Sequence, residues 1–183
     1  MILGVTGTNG AGKGAVVDAL KEEGFMHYSV REEITRELAR RGLPADRPHM
    51  GALGNELREK NGPAYFVTLF KTRAQAEGVA DLVIDSLRSV GEARALKEAG
   101  GVLLAVDADR KLRYERAVLR GSSTDKVDFD TWVAQEEKEW GNAAASQMNI
   151  PAVMQMADYT VHNDGTLEEL HRRIDQVLEK IKK

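Results

Sequence analysis

The sequence predicts an α/β protein, a five-stranded parallel sheet with helices on both faces. Three observations predict it. Strand-like and helix-like segments alternate along the 183 residues. Three of the strand segments are apolar runs without polar alternation, the pattern of strands buried on both faces. The first strand also runs straight into a glycine-rich loop and then a helix, and in parallel sheets ligands bind beyond the strand C-terminal ends.

The first unit is Ile2-Leu3-Gly4-Val5-Thr6, then Gly7-Thr8-Asn9-Gly10-Ala11-Gly12-Lys13-Gly14, then a helix from Ala15 to about Glu23. This is the layout of a phosphate-binding P-loop. Glycines let backbone N–H groups turn around an anion, and the helix N-terminus behind them adds partial positive charge. Lys13 reaches for the β- and γ-phosphates. The strict pattern has Ser or Thr after the lysine, and here Gly14 stands there. The plain alternative is a glycine turn that only joins strand to helix.

Phe25–Tyr28 is a short strand. Ser29-Val30-Arg31-Glu32 has capping-box spacing and opens a helix that Gly42 and Pro44 stop. Residues 48–60 and 63–77 read as two more helices split by Asn61-Gly62-Pro63. Asp81–Asp85 is a buried-type strand. Ser89-Val90-Gly91-Glu92 caps a helix running to Ala99, and Gly100-Gly101 turns the chain into a strand at 102–106. A basic helix at 110–120, a Gly-Ser-Ser-Thr-Asp loop and an acidic helix with Trp132 and Trp140 follow. Tyr159–Asn163 is the last strand. Thr166–Glu169 is a third capping box, and the final helix carries Leu167, Leu170, Ile174, Val177, Leu178 and Ile181 on one stripe.

Composition narrows the function. One domain is expected at this length, with no repeat or linker. Apolar content of 42% and charged content of 30% are those of a globular protein. A net charge of −3 argues against coating nucleic acid. There are no cysteines, so disulfides, thiolate zinc sites and cysteine nucleophiles are excluded. No apolar stretch approaches the roughly 20 residues of a membrane span. The N-terminus lacks the pattern of a signal peptide, and a cytoplasmic location is expected.

Three constellations carry chemistry. Asp85 ends a strand beside the loop, where an acid can hold magnesium directly or through water, and Arg88 follows three residues on. A turn-capping Asp with a surface Arg is the alternative. Arg113, Arg116 and Arg120 share one helical face that Arg110 extends. That row is either a solvated face or the base of a lid closing over a transferring phosphoryl group. The segment 29–77 contributes Arg31, Arg36, Arg40, Arg41, Arg47 and Arg58, where an acceptor-binding insertion can sit. The four histidines show no metal-ligand spacing, and the two tryptophans read as packing.

With these residues in hand, the Gly7–Gly14 loop resembles the P-loop of adenylate kinases and related nucleoside monophosphate kinases, which often read Gly-Lys-Gly. In that family magnesium is held largely through water, so a hydroxyl after the lysine is not required. A threonine contact of the family is absent at Ala15. Ser29 to Pro44 resembles a Ser-x-Gly-Asp-x-x-Arg segment, with Arg36 on the acceptor-phosphate arginine and Arg31-Glu32 in place of Gly-Asp. Asp85-Ser86-Leu87-Arg88 resembles Asp-Gly-x-x-Arg, with Arg88 on the acceptor phosphate and Asp85 near magnesium. Arg116 and Arg120 match lid arginines, and the stretch through Asn163-Asp164-Gly165 matches the border of the donor adenine. Small prokaryotic kinases similar to dephospho-coenzyme A kinase share the pattern.

The resemblance implies a P-loop NTPase fold in one domain. Its core is 1–28, 78–110 and 157–183, with a helical acceptor-binding insertion at about 29–77 and a lid region at about 111–156. It implies transfer of the γ-phosphoryl group of ATP, with Mg²⁺, to a nucleoside or deoxynucleoside monophosphate. The catalytic candidates are Lys13, Arg88, Arg116, Arg120 and Asp85, the last also holding the metal through water. ATP falls to Thr8, Asn9, Gly10, Ala11, Gly12, Lys13, Gly14, Ala15, Asn163 and Gly165. The acceptor falls to Arg36, Arg88, Arg31, Arg58 and Glu92. A small-molecule nucleotide acceptor, no nucleic acid, no membrane, and a monomer or homodimer are expected. The alternatives are transfer to a hydroxyl acceptor such as dephospho-coenzyme A, and a non-catalytic ATP-dependent switch or assembly factor.

Overall fold

A computed structural model describes residues 1–121, 127–138, 140 and 144–182. Five parallel strands form one sheet: β1 (Ile2–Gly7), β2 (Met26–Ser29), β3 (Leu82–Asp85), β4 (Val102–Asp107) and β5 (Tyr159–His162), in the order β2-β3-β1-β4-β5. The glycine-loop strand is therefore central. Its C-terminal end emerges between those of β3 and β4, which carry Asp85 and Asp107.

Two apolar layers sandwich the sheet. On one face, Leu3, Val5, Val83, Leu104 and Val106 pack against Val16 and Leu20 of α1 (Lys13–Glu22) and Leu170, Ile174 and Leu178 of α9 (Leu167–Ile181). The final helix thus uses its stripe as expected, although Leu167 remains exposed. On the other face, Leu82, Ile84, Leu87 and Leu103 meet α2 (Val30–Arg40), α3 (Arg47–Asn61), α4 (Tyr65–Ala76), α5 (Val90–Glu98) and α8 (Ile150–Gln155) through Ile34, Leu53, Phe66, Phe70, Leu96 and Val153. Alternate residues of one apolar run thus serve opposite faces. Each fully buried side chain of this size contributes about 1.5–3 kcal/mol. Gly4 has no side chain because Leu87 and Leu96 occupy its space, where a Cβ would lie 2.4 Å from Leu96 Cδ2.

The helix ends follow local chemistry. Ser89 and Thr166 form full capping boxes with Glu92 and Glu169. Ser29 caps α2 only one way, accepting from Glu32 N at 3.4 Å. Asp109 starts α6 (Arg110–Arg120), accepting from the N–H groups of Lys111 and Leu112. The short α8, started by Asn149 with proline in its first turn, has no counterpart in the sequence reading.

The region expected to form a lid packs on the core. In α6, buried Arg113 pairs with Glu136 of α7 (Phe129–Lys138) through both guanidinium nitrogens. Trp132 is buried against Tyr114 and lies 5.2 Å from the Arg113 guanidinium, and Trp140 lies under Arg110. Both tryptophans pack, as expected. Segment 144–149 then runs along the start of α5, with Gly91 N donating to Ala145 O and Asn149 N to Arg88 O. Most of the Gly-Ser-Ser-Thr-Asp loop lies outside the described residues.

Candidate active site

The loop between β1 and α1 is stitched from behind. Asn163 Nδ2 donates to Ala11 O at 2.9 Å, Arg113 Nη1 to Asn9 O at 3.1 Å, and Thr8 Oγ1 to Asp107 Oδ1 at 2.7 Å. Gly10 and Gly12 sit at φ 78° and 93°. A Cβ would meet Arg113 O at 2.1 Å in the first case and Asn163 Nδ2 at 2.1 Å in the second, so both the turn and its supports require glycine. Gly12 caps α1 without a side chain, which leaves the first N–H groups of that helix to an external anion. Lys13 Nζ arches back to Gly7 O at 2.9 Å and Thr8 O at 2.7 Å.

In front of the loop lies a cleft of about 530 Å³. It gathers Lys13 with Arg31, Arg88, Arg116 and Arg120, the carboxylate of Asp85, and the loop residues Asn9, Gly10, Gly12, Gly14 and Ala15. Such a cationic concavity raises the local concentration of phosphate ligands. Arg116 is anchored through Nη1 to Asn163 O at 2.7 Å, and Arg120 through Nη2 to Asn9 Oδ1 at 3.0 Å. The α6 row thus turns its C-terminal half toward the cleft and spends Arg113 on the architecture.

Asp85 sits at the end of β3, in register with Ser29. His27 Nε2 lies 3.5 Å from Asp85 Oδ1, and neither atom has a well-formed hydrogen bond among the described residues. Burial alone pushes the Asp85 carboxyl up. The polar contacts of His27 and Ser29 and the charges of His27 and Lys13 outweigh it and hold the group below its ordinary value.

The turn that follows carries Arg88 into the cleft. Ser86 adopts φ 62°, the left-handed conformation that the glycine of the resembled pattern would supply. A non-glycine residue there costs about 1–3 kcal/mol. The turn is pinned to β1 by Thr6 Oγ1 to Leu87 O at 2.7 Å and Leu87 N to Val5 O at 3.2 Å.

Several expected site residues lie elsewhere. Arg36 does not reach the cleft: its side chain is 63% exposed and pairs with Glu33. Five residues along α2 is a rotation of about 140° from Arg31, and Arg31 takes the inward position. Glu92 does not face ligand either. It is fully buried, with Oε1 on Arg58 Nε at 2.7 Å and Oε2 accepting from Arg88 N and Ser89 N at 3.1 Å, so it orients Arg88. Arg58, 1% exposed, is the other half of that ion pair; it lines not the cleft itself but a smaller cavity adjoining it. Asn163 braces the loop, and Gly165 packs beside the Glu169 carboxylate at the start of α9, so neither lines the cleft. The buried Thr8 and Ala11 contribute backbone only, the Thr8 hydroxyl being bonded to Asp107. The sequence reading left out His27, whose spacing two residues before Ser29 puts it on the Asp85 face of β2. It also left out Met50 and Met148, for which local sequence holds no signal.

Comparison with known proteins agrees with this architecture. The family described as "AAA domain" matches residues 3–142. A UPF0200 protein of Pyrococcus horikoshii is 30% identical over 99% of this chain and 97% of its own length. One of Pyrobaculum aerophilum is 32% identical over 97% and 96%. Among solved structures, TT1252 from Thermus thermophilus superposes with a TM-score of 0.65 at 21% identity, covering 98% of this chain and 97% of that one. Shikimate kinase from Acinetobacter baumannii in complex with shikimate gives 0.57 at 18%, covering 99% and 94%. Dephospho-CoA kinase from Campylobacter jejuni gives 0.50 at 16%, covering 98% and 96%. At these identities the likeness is one of fold.

The Asp85 environment has a measurable consequence. A carboxylate held low in the folded state adds stability that is complete above its unfolded value of roughly 3.9. That stability is lost as pH falls through the lower folded value. Asp85→Asn removes the titration, so urea unfolding free energies at pH 5 and pH 3 should differ less in the variant than in the parent. An equal difference in both would show that Asp85 is not held ionised.

Proposed function

The chain belongs to the AAA domain family and to the UPF0200 proteins, and on that footing we propose that it is an ATP-dependent phosphotransferase. Its acceptor is a nucleoside monophosphate or deoxynucleoside monophosphate. One observation carries the reading: Lys13, Asp85 and four arginines converge in a single cleft on a glycine loop at a helix N-terminus. The fold likeness to solved small-molecule kinases supports it.

ATP lies with its β- and γ-phosphates on the 7–15 loop, and Lys13 exchanges the Gly7 and Thr8 carbonyls for phosphate oxygens. Arg116 and Arg120, from the 111–156 lid region, flank the transferring group. The acceptor phosphate rests on Arg88 and Arg31, beside the 29–77 insertion. An acceptor phosphate oxygen attacks Pγ in line, the bond from Pγ to the bridging oxygen breaks, and ADP leaves. That nucleophile is already ionised and needs no base. Positioning and charge stabilisation supply the rate.

The residues present fit magnesium held mainly by phosphate oxygens and water. Gly14 offers no hydroxyl, no cluster of three metal-ligating side chains occurs among the described residues, and Asp85 Oδ1 is a buried carboxylate oxygen without a hydrogen-bond partner among them. Bound there, the ion would neutralise charge on the β- and γ-phosphates.

A second reading is favoured by that same Asp85 Oδ1, 3.5 Å from His27: a carboxylate so placed can take the proton of a hydroxyl acceptor. Asp85→Asn separates the two. Transfer to a hydroxyl should collapse and lose its acid limb, whereas transfer to a phosphate keeps the pH profile of the parent, set by the acceptor phosphate's own second ionisation at about 6.

Lys13→Ala should lower kcat by about 10²–10³ or more with an unchanged circular dichroism spectrum. Turnover within tenfold of the parent would rule out the loop as donor site. Arg88→Ala should raise the acceptor KM at least tenfold and leave that of ATP within twofold. Arg36→Ala should change neither, because its side chain points to solvent. Both readouts come from one coupled assay of ADP release.

A further inference from the structure

The cleft runs on between α2 and α3 into a smaller cavity of about 50 Å³, and Arg31, Arg88, Asn9 and Ser86 line both spaces. Val30, Ile34, Met50 and Met148 give it apolar sides, and Arg47 lines it as well. Two glycines three apart on one face of α3, Gly51 and Gly54, thin the wall. A Cβ at Gly54 would fall 3.0 Å from Ile34 Cδ1 and 3.2 Å from Arg58 Nη1, and one at Gly51 would fall 3.2 Å from Met148 Cε.

Arg58 lines this cavity as well. Its Nε is committed to Glu92, and its guanidinium lies 5.2 Å from the centre of the Phe66 ring. Nη1 is buried beside Gly54 with no hydrogen-bond partner among the described residues. Native interiors rarely leave such a donor unpaired, because its lost hydration is not repaid.

The chemistry of the partner follows. A guanidinium only donates, so the partner is an acceptor. The charge of Arg58 is already balanced by Glu92, so a neutral oxygen completes the site without adding a buried charge. The walls suit the faces of a flat ring. A single water takes roughly 10–15 Å³ on this scale, so the cavity holds about four water-sized groups. That suits one six-membered ring better than a fused pair. Resting on the phosphotransfer reading above, we infer that the acceptor is a pyrimidine nucleoside monophosphate whose ring carbonyl oxygen accepts from Arg58 Nη1. Arg58 and Gly54 then set the choice of base. Adenine is too large for the cavity, and its acceptors are ring nitrogens, set differently from a ring oxo group.

The test is titration calorimetry of UMP, CMP and AMP into the full chain, with and without a non-hydrolysable ATP analogue, alongside a phosphorylation assay with ATP. UMP or CMP should bind at least tenfold tighter than AMP. Arg58→Ala strands Glu92 in the core and is expected to misfold, so Gly54→Ala is the working variant. Its added methyl should weaken the pyrimidine nucleotide at least tenfold and leave the ATP analogue within twofold. Equal affinity for AMP, or a preference that survives in folded Gly54→Ala, overturns the subsite even where monophosphates are phosphorylated. A pyrimidine preference without any phosphoryl transfer supports the subsite and overturns the phosphotransfer reading. No binding of any monophosphate overturns both. If Gly54→Ala does not fold, the parent comparison decides.

Discussion

The glycine loop can present its N–H groups to the cleft because its carbonyl oxygens are claimed elsewhere. Asn163 takes Ala11, Arg113 takes Asn9, and Lys13 takes Gly7 and Thr8. Each donor arrives from a different part of the chain and brings its own support. Arg113 is held by Glu136 and packed beside Trp132. Asn163 stands just past β5, with its backbone N–H on Asp107 O. A backbone turn with two left-handed glycines is too short to hold itself rigid. Its rigidity is imported from α6, α7 and the last strand, so the loop and these elements form one structural unit.

Charge is handled differently in front of the loop and behind it. In front, the cations Lys13, Arg31, Arg88, Arg116 and Arg120 share the cleft with Asp85 alone among the carboxylates of the described residues, which suits a polyanionic ligand. Behind, two buried arginines are matched by buried carboxylates: Arg58 by Glu92 and Arg113 by Glu136. Breaking such a buried pair costs about 3–5 kcal/mol, so these pairs act as fixed struts. The Arg58–Glu92 strut also accepts the N–H groups of Arg88 and Ser89. Arg88, which enters the cleft, is thereby positioned by a buried arginine that does not.

Much of this was legible locally. Three of the five strands fall where apolar runs are bounded by turn residues, and the capping boxes at Ser89 and Thr166 form as their spacing predicts. Arg31 and Arg36 show the limit. Both lie on α2, and resemblance favoured Arg36, yet the helix turns Ile34 and Leu38 to the core and leaves Arg36 in solvent. Asn163 and Glu92 were likewise picked out as site-associated, and in the structure Asn163 bonds the loop carbonyl of Ala11 while Glu92 holds the N–H groups of Arg88 and Ser89. A side chain's partner is set by packing several elements away, which residue type and spacing do not encode.

By itself the sequence determined the parallel α/β class, the glycine loop with its lysine, and the strand-end acid at Asp85, because each depends on backbone preference or on burial over a few neighbouring residues. The tertiary structure alone decided the strand order that sets β1 between β3 and β4. It alone assigned α6 to the back of the loop and closed a small cavity with Met148. Those are contacts between segments far apart in the chain, 104 residues for Arg113 and Asn9, and their energies arise only when the sheet assembles.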